Sequence, residues 1–245
     1  MALVDIICLA NSFKEGGRCV AGLRTDGKGW VRPVAPDTSH SQLYERQLKL
    51  DDGTEPQLLD VVTVDLHEAR PAPGQPENWV IGKTPWVLWE RPAGRQLEPR
   101  LRSALNRNET LLGFDGRSIP ESDAGSVTSS LTLVAPPVVL WSLGRDVGYR
   151  QQPAVLLKLG AKWLRLPVTD PVWVPLIVRH LSGKEAGWHK NEAAGIPPGA
   201  KVWITVSLSE PFHGQCYKLA AAIVVRKPAT SASRIRWDRA TRARP

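Results

Sequence analysis

The stretch GKGWVRPV at residues 27–34 has a counterpart in the second half of the chain, GAKWLRLPV at residues 160–168. Each copy begins with a glycine-containing turn, continues as Trp, an aliphatic residue and Arg, and ends in Pro-Val, with one extra residue in the second copy. A long stretch rich in β-branched residues follows each copy, at residues 58–66 and 201–208. Because the motif recurs at matching places in two halves, it predicts two copies of one small β-barrel.

Short apolar runs separated by turn residues surround both copies, and they predict an all-β protein with a minor helical part. The segment from Asn11 to Gly17 has turn composition, and prolines between residues 71 and 92 interrupt the first half. The predicted strands of the first half are residues 3–9, 18–23, 29–34, 58–66, 79–81 and 86–89. Those of the second half are residues 131–143, 154–158, 162–166, 201–208 and 216–225.

The segment that joins the two β units has a different character. Residues 96–112 place leucines near helical spacing and predict a helix, and Gly/Ser-rich polar residues follow up to residue 130. Asp170-Pro171 is typical of a helix start and predicts a second short helix over residues 172–181. The chain therefore divides into a first barrel (1–90), a helical and loop connection (91–130), a second barrel (131–227) and a tail (228–245).

The net charge of +8 over 245 residues is concentrated at one end. Residues 226–245 contain seven basic residues and one acid, so they carry six of the eight net positive charges. The remaining chain is close to neutral. A basic, Ala/Ser/Thr-rich end predicts a disordered tail, which either binds phosphates non-specifically or is simply solvated.

The residues that usually mark catalysis or metal binding are sparse. Three cysteines without a CxxC pair favour neither a disulfide framework nor a zinc site, and the five histidines form no HExxH motif. We therefore expect no cofactor, no metal and no catalysis of the protein's own, although a Cys-His pair assembled in space stays open. The N-terminus lacks a signal-peptide pattern and no apolar stretch is long enough for a membrane span, so we expect a cytoplasmic protein.

The repeated motif supplies the first candidate binding residues. Residues two apart in a strand share a face, so Trp30 lies beside Arg32, and Trp163 beside Arg165. An indole next to a guanidinium is typical of single-stranded nucleic-acid grooves, where bases stack on the ring and the cation meets phosphate. The alternative interpretation is structural: the Arg covers the Trp and seals a barrel end or the interface between the halves.

Further candidates lie outside the repeat. The segment around Asn11, Ser12, Lys14 and Arg18 combines small polar residues, glycines and cations, which suits phosphate binding but equally a tight hairpin. It is not a Walker A sequence. Asn78, at the end of QPEN (residues 75–78), can read base edges or satisfy a loop, and the pair Tyr217-Lys218 has the same ambiguity.

Several motifs, in order along the chain, resemble the dual OB-containing domain family. They are LANS (9–12), GRCVAG (17–22), WVRPV (30–34), LDVV (59–62), QPEN (75–78), SLSEPF (207–212) and YKLAA (217–221). The resemblance extends from about Asp5 to Val225 and omits the tail. It implies two tandem OB-like barrels and recognition of nucleic acid or a nucleotide, within prokaryotic conflict or nucleic-acid-processing systems.

Three functions are compatible with these observations. The leading hypothesis is a non-enzymatic nucleic-acid-binding module for single-stranded RNA or DNA. The second is an enzyme or sensor that holds a nucleotide-like small molecule in a cleft between the barrels, where the segments around residues 11–18 and 75–78 would converge. The third is a protein-interaction adaptor, which an exposed apolar Trp patch without a polar cleft would favour.

Overall fold

The computed structural model describes residues 2–14, 16–37, 42–92, 98–145 and 151–226. Strands dominate these ranges, and the two halves have related barrel topologies, which confirms the predicted all-β fold of tandem OB-like units. The tail predicted from residue 228 lies outside the described residues. The boundaries at residues 90, 130 and 227 stay a prediction.

The first half forms a closed five-stranded barrel. Its strands follow the order β1-β2-β3-β5-β4, and pairing of β1 with β4 closes the ring, while β6 extends it at β4. Strand β3 runs parallel to β5, and the other pairs are antiparallel. This is the Greek-key order of an OB barrel. The elements are β1 (Ala2–Lys14), β2 (Gly17–Arg24), β3 (Trp30–Val34), α1 (Glu45–Leu48), β4 (Val61–Ala69), β5 (Asn78–Ile81) and β6 (Val87–Glu90).

The second half repeats this order but stays open. One sheet has the order β9-β10-β11 and the other β7-β13-β12-β8, and a parallel bridge from Val168 to Ala220 links the ends of β11 and β13. Within the described ranges, β9 and β12 do not pair, so the unit is a half-barrel. The elements are β7 (Ser118–Pro120), β8 (Leu131–Val134), β9 (Val139–Arg145), β10 (Gln151–Leu159), β11 (Lys162–Pro167), α3 (Trp173–Leu181), β12 (Lys201–Phe212) and β13 (Gln215–Arg226); α2 (Glu98–Ser103) precedes them.

Strand β1 explains how the halves are joined. Ile6 and Cys8 face the core of the first barrel, whereas Ile7 and Leu9 pack outward against Trp203 of the second half. A strand that is buried on both faces reads as a continuous apolar run, which is why residues 3–9 show no alternation.

Two predicted segments differ from the structure. Of the helix expected over residues 96–112, residues 96 and 97 lie outside the described residues, and the rest contains only α2, since Leu105 forms a bridge with Leu133 instead. The turn expected from Asn11 to Gly17 is mostly strand: β1 continues to Lys14, Gly16 has a φ of +81°, and β2 begins at Gly17. The helix predicted after Asp170 is confirmed as α3, and the Asp170 carboxylate accepts hydrogen bonds from the amides of Val172 and Trp173.

Candidate nucleic-acid interface

The two Trp–aliphatic–Arg copies occupy the third strand of their respective units. Trp30 and Arg32 lie on β3, which pairs with β2, and Trp163 and Arg165 lie on β11, which pairs with β10. In OB folds the face made by the second and third strands is a common binding surface for oligonucleotides. The repeat therefore marks two equivalent surfaces, and their environments differ sharply.

The surface of the second half is open. Trp163 is 48% exposed, and the Nζ atom of Lys158, its partner in the β10–β11 register, lies 5.9 Å from the centre of the indole ring. Arg165 is exposed beside them. We call Lys158, Trp163 and Arg165 the open face.

The three cations along this hairpin differ in their ion pairing within the described residues. Lys162 is neutralised, since its Nζ lies 2.5 Å from Asp115 Oδ1 and this hydrogen bond raises the pKa of the lysine. In contrast, no carboxylate among the described residues pairs with Lys158 or Arg165. An exposed indole flanked by two cations without an ion-pair partner in the described ranges can stack a base and contact its phosphates.

The equivalent surface of the first half is covered by the second half. Arg32 is only 1% exposed, and its Nη2 donates to Ser130 Oγ at 2.8 Å and to Ser207 Oγ at 3.1 Å. Glu77 Oε1 lies 3.5 Å from the same nitrogen and also accepts from the Ser130 hydroxyl. Arg32 thus has the interface position that the structural interpretation of the repeat predicts. Trp30 is half-buried and packs on the apolar cluster between the halves.

This covering leaves a cavity of about 550 Å³ between the halves. The first half contributes the end of β1, Arg32 and the loop before β5, and the second half contributes β12 and β13. Four predicted site residues meet here: Ser12, Lys14, Arg32 and Tyr217. We call this cavity the inter-half pocket. Its remaining wall includes Cys19, Gln75, Pro167, Leu208, Leu219 and Ala221.

Asn11 and Arg18 face a different space from Lys14. Because β1 continues as a strand, alternate side chains point to opposite sides, and Asn11 and Arg18 line a neighbouring cleft of about 640 Å³ beside the start of α3. The Arg18 guanidinium lies 4.4 Å from the Phe13 ring centre and 3.6 Å from Glu55. The residues predicted to form one phosphate loop are therefore divided between two clefts.

Two further predicted residues lie inside the fold. Asn78 is buried and donates from Nδ2 to Gln75 Oε1 at 3.1 Å, behind the inter-half pocket. Lys218 is fully buried and donates to the carbonyl oxygens of Phe114 and Gly116. Burial lowers the pKa of Lys218 to about 8.

Sequence reasoning missed Lys158 and Ser207 as parts of these surfaces, and it assigned the Glu77 carboxylate of QPEN to base contact and not to the Arg32 ion pair. Lys158 could have been predicted from the sequence, since a hairpin turn at residues 160–161 places it opposite Trp163. Ser207 meets Arg32 across 175 residues of chain, and nothing in the local sequence signals such a contact.

The described residues include no group of three or more His, Cys, Asp or Glu that could hold a metal ion. None of the helices in these ranges is long and apolar enough to cross a membrane.

The family described as the dual OB-containing domain matches residues 4–223 of the chain. The chain belongs to this family. The match includes both units of the dual OB domain and stops before the basic tail. No curated protein matches the chain.

Two solved structures show a distant similarity to this dual OB protein. One is a murine DNA-binding protein bound to double-stranded DNA, with 8% identity, coverage of 93% of this chain and 100% of the other, and a TM-score of 0.29. The other belongs to work on the abrogation of activation of pro-inflammatory cytokines, with 11% identity, 92% and 95% coverage, and a TM-score of 0.31. Similarity at this level supports no conclusion on function.

Proposed function

We propose that this protein binds single-stranded nucleic acid on the open face of its second OB unit. The observation that carries the proposal is the exposed Trp163 ring, flanked by Lys158 and Arg165, on the second and third strands of that unit. A base stacks on the indole, and the two cations contact the neighbouring phosphates. The proposed binding involves no catalytic step.

The chemistry of the open face favours single strands over duplex. Stacking on Trp163 needs a base whose flat surface is free, and bases in a duplex are already stacked on one another. Phosphate contacts alone would serve either form, so the indole decides between them.

Fluorescence anisotropy with labelled single-stranded DNA and RNA oligonucleotides tests this proposal. Stacking contributes about 1–3 kcal/mol per base, so W163A should weaken binding by about 5- to 150-fold. Trp89 of β6 is 69% exposed and lies far from the motif in sequence, so W89A is the matched control and should bind like the parent.

All variants are made in the full-length chain, so that a loss of affinity in W163A or R165A is measured with the tail unchanged. R165A should lower the slope of log affinity against log salt by about one, because one phosphate contact is lost. A variant with R234S, R236S, R239S and R242S reports the tail alone. Unchanged affinity and salt slope in both W163A and R165A would assign the binding elsewhere and refute the open face as the site.

A further inference from the structure

We propose that the strand-binding site of the second unit continues across its sheet to a second stacking position, Trp188, beside which Lys190 contacts phosphate. The proposal rests on the proposed function, since it extends the path of the same nucleic-acid strand beyond the open face. It follows from a departure from the closed barrel of the first unit. There β1 pairs with β4, whereas the equivalent edge of β9 pairs with His189 within the described ranges.

The segment 188–190 continues the sheet beyond β9. The backbone amide of Trp141 on β9 donates to the carbonyl oxygen of His189 at 2.8 Å, and the amide of His189 donates back to the carbonyl oxygen of Trp141 at 2.8 Å. This exchange of two hydrogen bonds is the antiparallel pairing of adjacent strands. The backbone stays extended at Lys190, with φ −69° and ψ 167°, so Lys190 comes opposite Leu140.

Alternation along the segment determines which face of the sheet Trp188 and Lys190 occupy. Opposed residues share a face, so His189 lies on the same face as Trp141, which is buried in the core of the second unit. The residues on either side of His189 point to the other face. Trp188 is 39% exposed and Lys190 is exposed, as this assignment requires.

The face that carries Trp188 is also the one that carries the open face. Leu156 of β10 pairs with Arg165 of β11 on one side and with Leu140 of β9 on the other. One row therefore crosses the sheet, formed by Arg165, Leu156, Leu140 and Lys190. The two leucines are half-buried and, among the described residues, lie outside the core cluster of this unit. Adjacent strands are about 4.8 Å apart, so the row is about 14 Å long.

The two exposed indoles lie at opposite corners of this face. Because successive strands run antiparallel, Trp163 lies on one side of the row beside Arg165, and Trp188 lies on the other side beside Lys190. Two residues of strand add about 7 Å at each end, so the rings are about 20 Å apart. Lys190 has no ion-pair partner in the described ranges. A single strand that crosses the half-buried leucines therefore meets an indole and a cation at each end, the combination that binds bases and phosphates.

Fluorescence anisotropy of the full-length protein with a labelled single-stranded octanucleotide tests the second stacking position. W188A should weaken binding by about 5- to 150-fold, the effect of losing one stacked base, whereas W188F keeps an aromatic ring and should retain most of the affinity. K190A should lower the slope of log affinity against log salt by about one. Lys83 is an exposed lysine of the first unit, so K83A is the matched control for the lost charge. Equal slopes in K190A and K83A would overturn the phosphate contact.

A double variant distinguishes a base stacked on Trp188 from mere support of Trp163. If each ring holds its own base, the loss of affinity in W163A/W188A should be the product of the two single losses, because distant sites act independently. A loss in W188A that disappears in the W163A background would show that Trp188 only supports the open face, and it would overturn the proposal. Parent-like binding by W188A, together with weakened binding by W163A, would end the site at the open face. Parent-like binding by W163A would instead refute the proposed function itself.

Discussion

Replacing Lys218 by Met should remove a pH dependence of stability that arises from one buried ammonium group. Lys218 is 0% exposed, and its Nζ donates to Phe114 O at 2.5 Å and to Gly116 O at 2.9 Å. Burial lowers the pKa of Lys218 to about 8, and the nearby charge of Asp115 opposes this only partly.

The direction and size of the effect follow from proton linkage. A lysine in the unfolded chain titrates near ~10.4. Because the folded pKa is lower, the folded state binds fewer protons than the unfolded state between about pH 8 and that value. The free energy of unfolding therefore rises with pH across this window, by ~3 kcal/mol in total, and the full penalty is present below pH 8.

The Cys8 thiol changes the free energy of unfolding with pH in the opposite direction. The parent must therefore be compared with a variant that keeps this thiol. Burial raises the pKa of the Cys8 thiol to about 12, so its contribution is complete below the unfolded value of ~8.5 and is lost as the pH rises towards 12. K218M retains Cys8. The difference in unfolding free energy between parent and variant, from urea titrations between pH 7 and pH 10, isolates the lysine.

This difference should increase by about 2–3 kcal/mol in favour of the parent over that pH range. The hydrogen bonds that Met cannot make to Phe114 and Gly116 add only a constant offset. A difference that stays flat across the range would refute the burial of a charged Lys218. Since the side chain does not reach the surface, K218M should also bind oligonucleotides like the parent.

Two further perturbations test the interface between the halves. A thiol reagent applied to the native protein should modify Cys19 quickly, and the buried Cys8 and Cys216 only on unfolding. The modified thiols are counted by absorbance before and after denaturant is added. Three thiols that react quickly in the native protein would contradict the packing. E77Q leaves the Arg32 charge without its carboxylate and should destabilise the protein by about 3–5 kcal/mol in urea titrations, whereas E68Q, which removes the exposed partner of Arg70, should cost less than about 1 kcal/mol. Similar losses for both would contradict a buried ion pair.

Much of the fold could be predicted from the local sequence. Strands separated by turn residues are local features, and the Trp–aliphatic–Arg repeat correctly indicated that the two halves have like topology. Errors arose where distant contacts overrode a local signal. The segment from Asn11 to Lys14 has turn composition, yet it is strand because residues 17–20 pair with it.

The candidate sites were predictable only in part, for the same reason. Trp163 and Arg165 share an exposed face, as strand alternation requires. The burial of Arg32 depends on Ser130 and Ser207, which lie 98 and 175 residues away, so no local pattern distinguishes it from Arg165. The two arginines are interchangeable in sequence and opposite in environment.

The way in which the two units pack explains this opposition. If the halves met through the same surface of each, both Trp–aliphatic–Arg faces would be covered or both would be open. Instead the contact is heterologous: β12 and β13 of the second unit lie on the β2–β3 surface of the first. A heterologous contact uses two different surfaces, so it occupies that face of one unit and leaves its equivalent on the other unit outside the contact. The first copy is then buried in the contact around Arg32, beside the inter-half pocket, and the second stays a solvent-facing surface around Trp163. One duplicated motif can in this way have a structural role in one unit and present an exposed aromatic and cationic surface in the other.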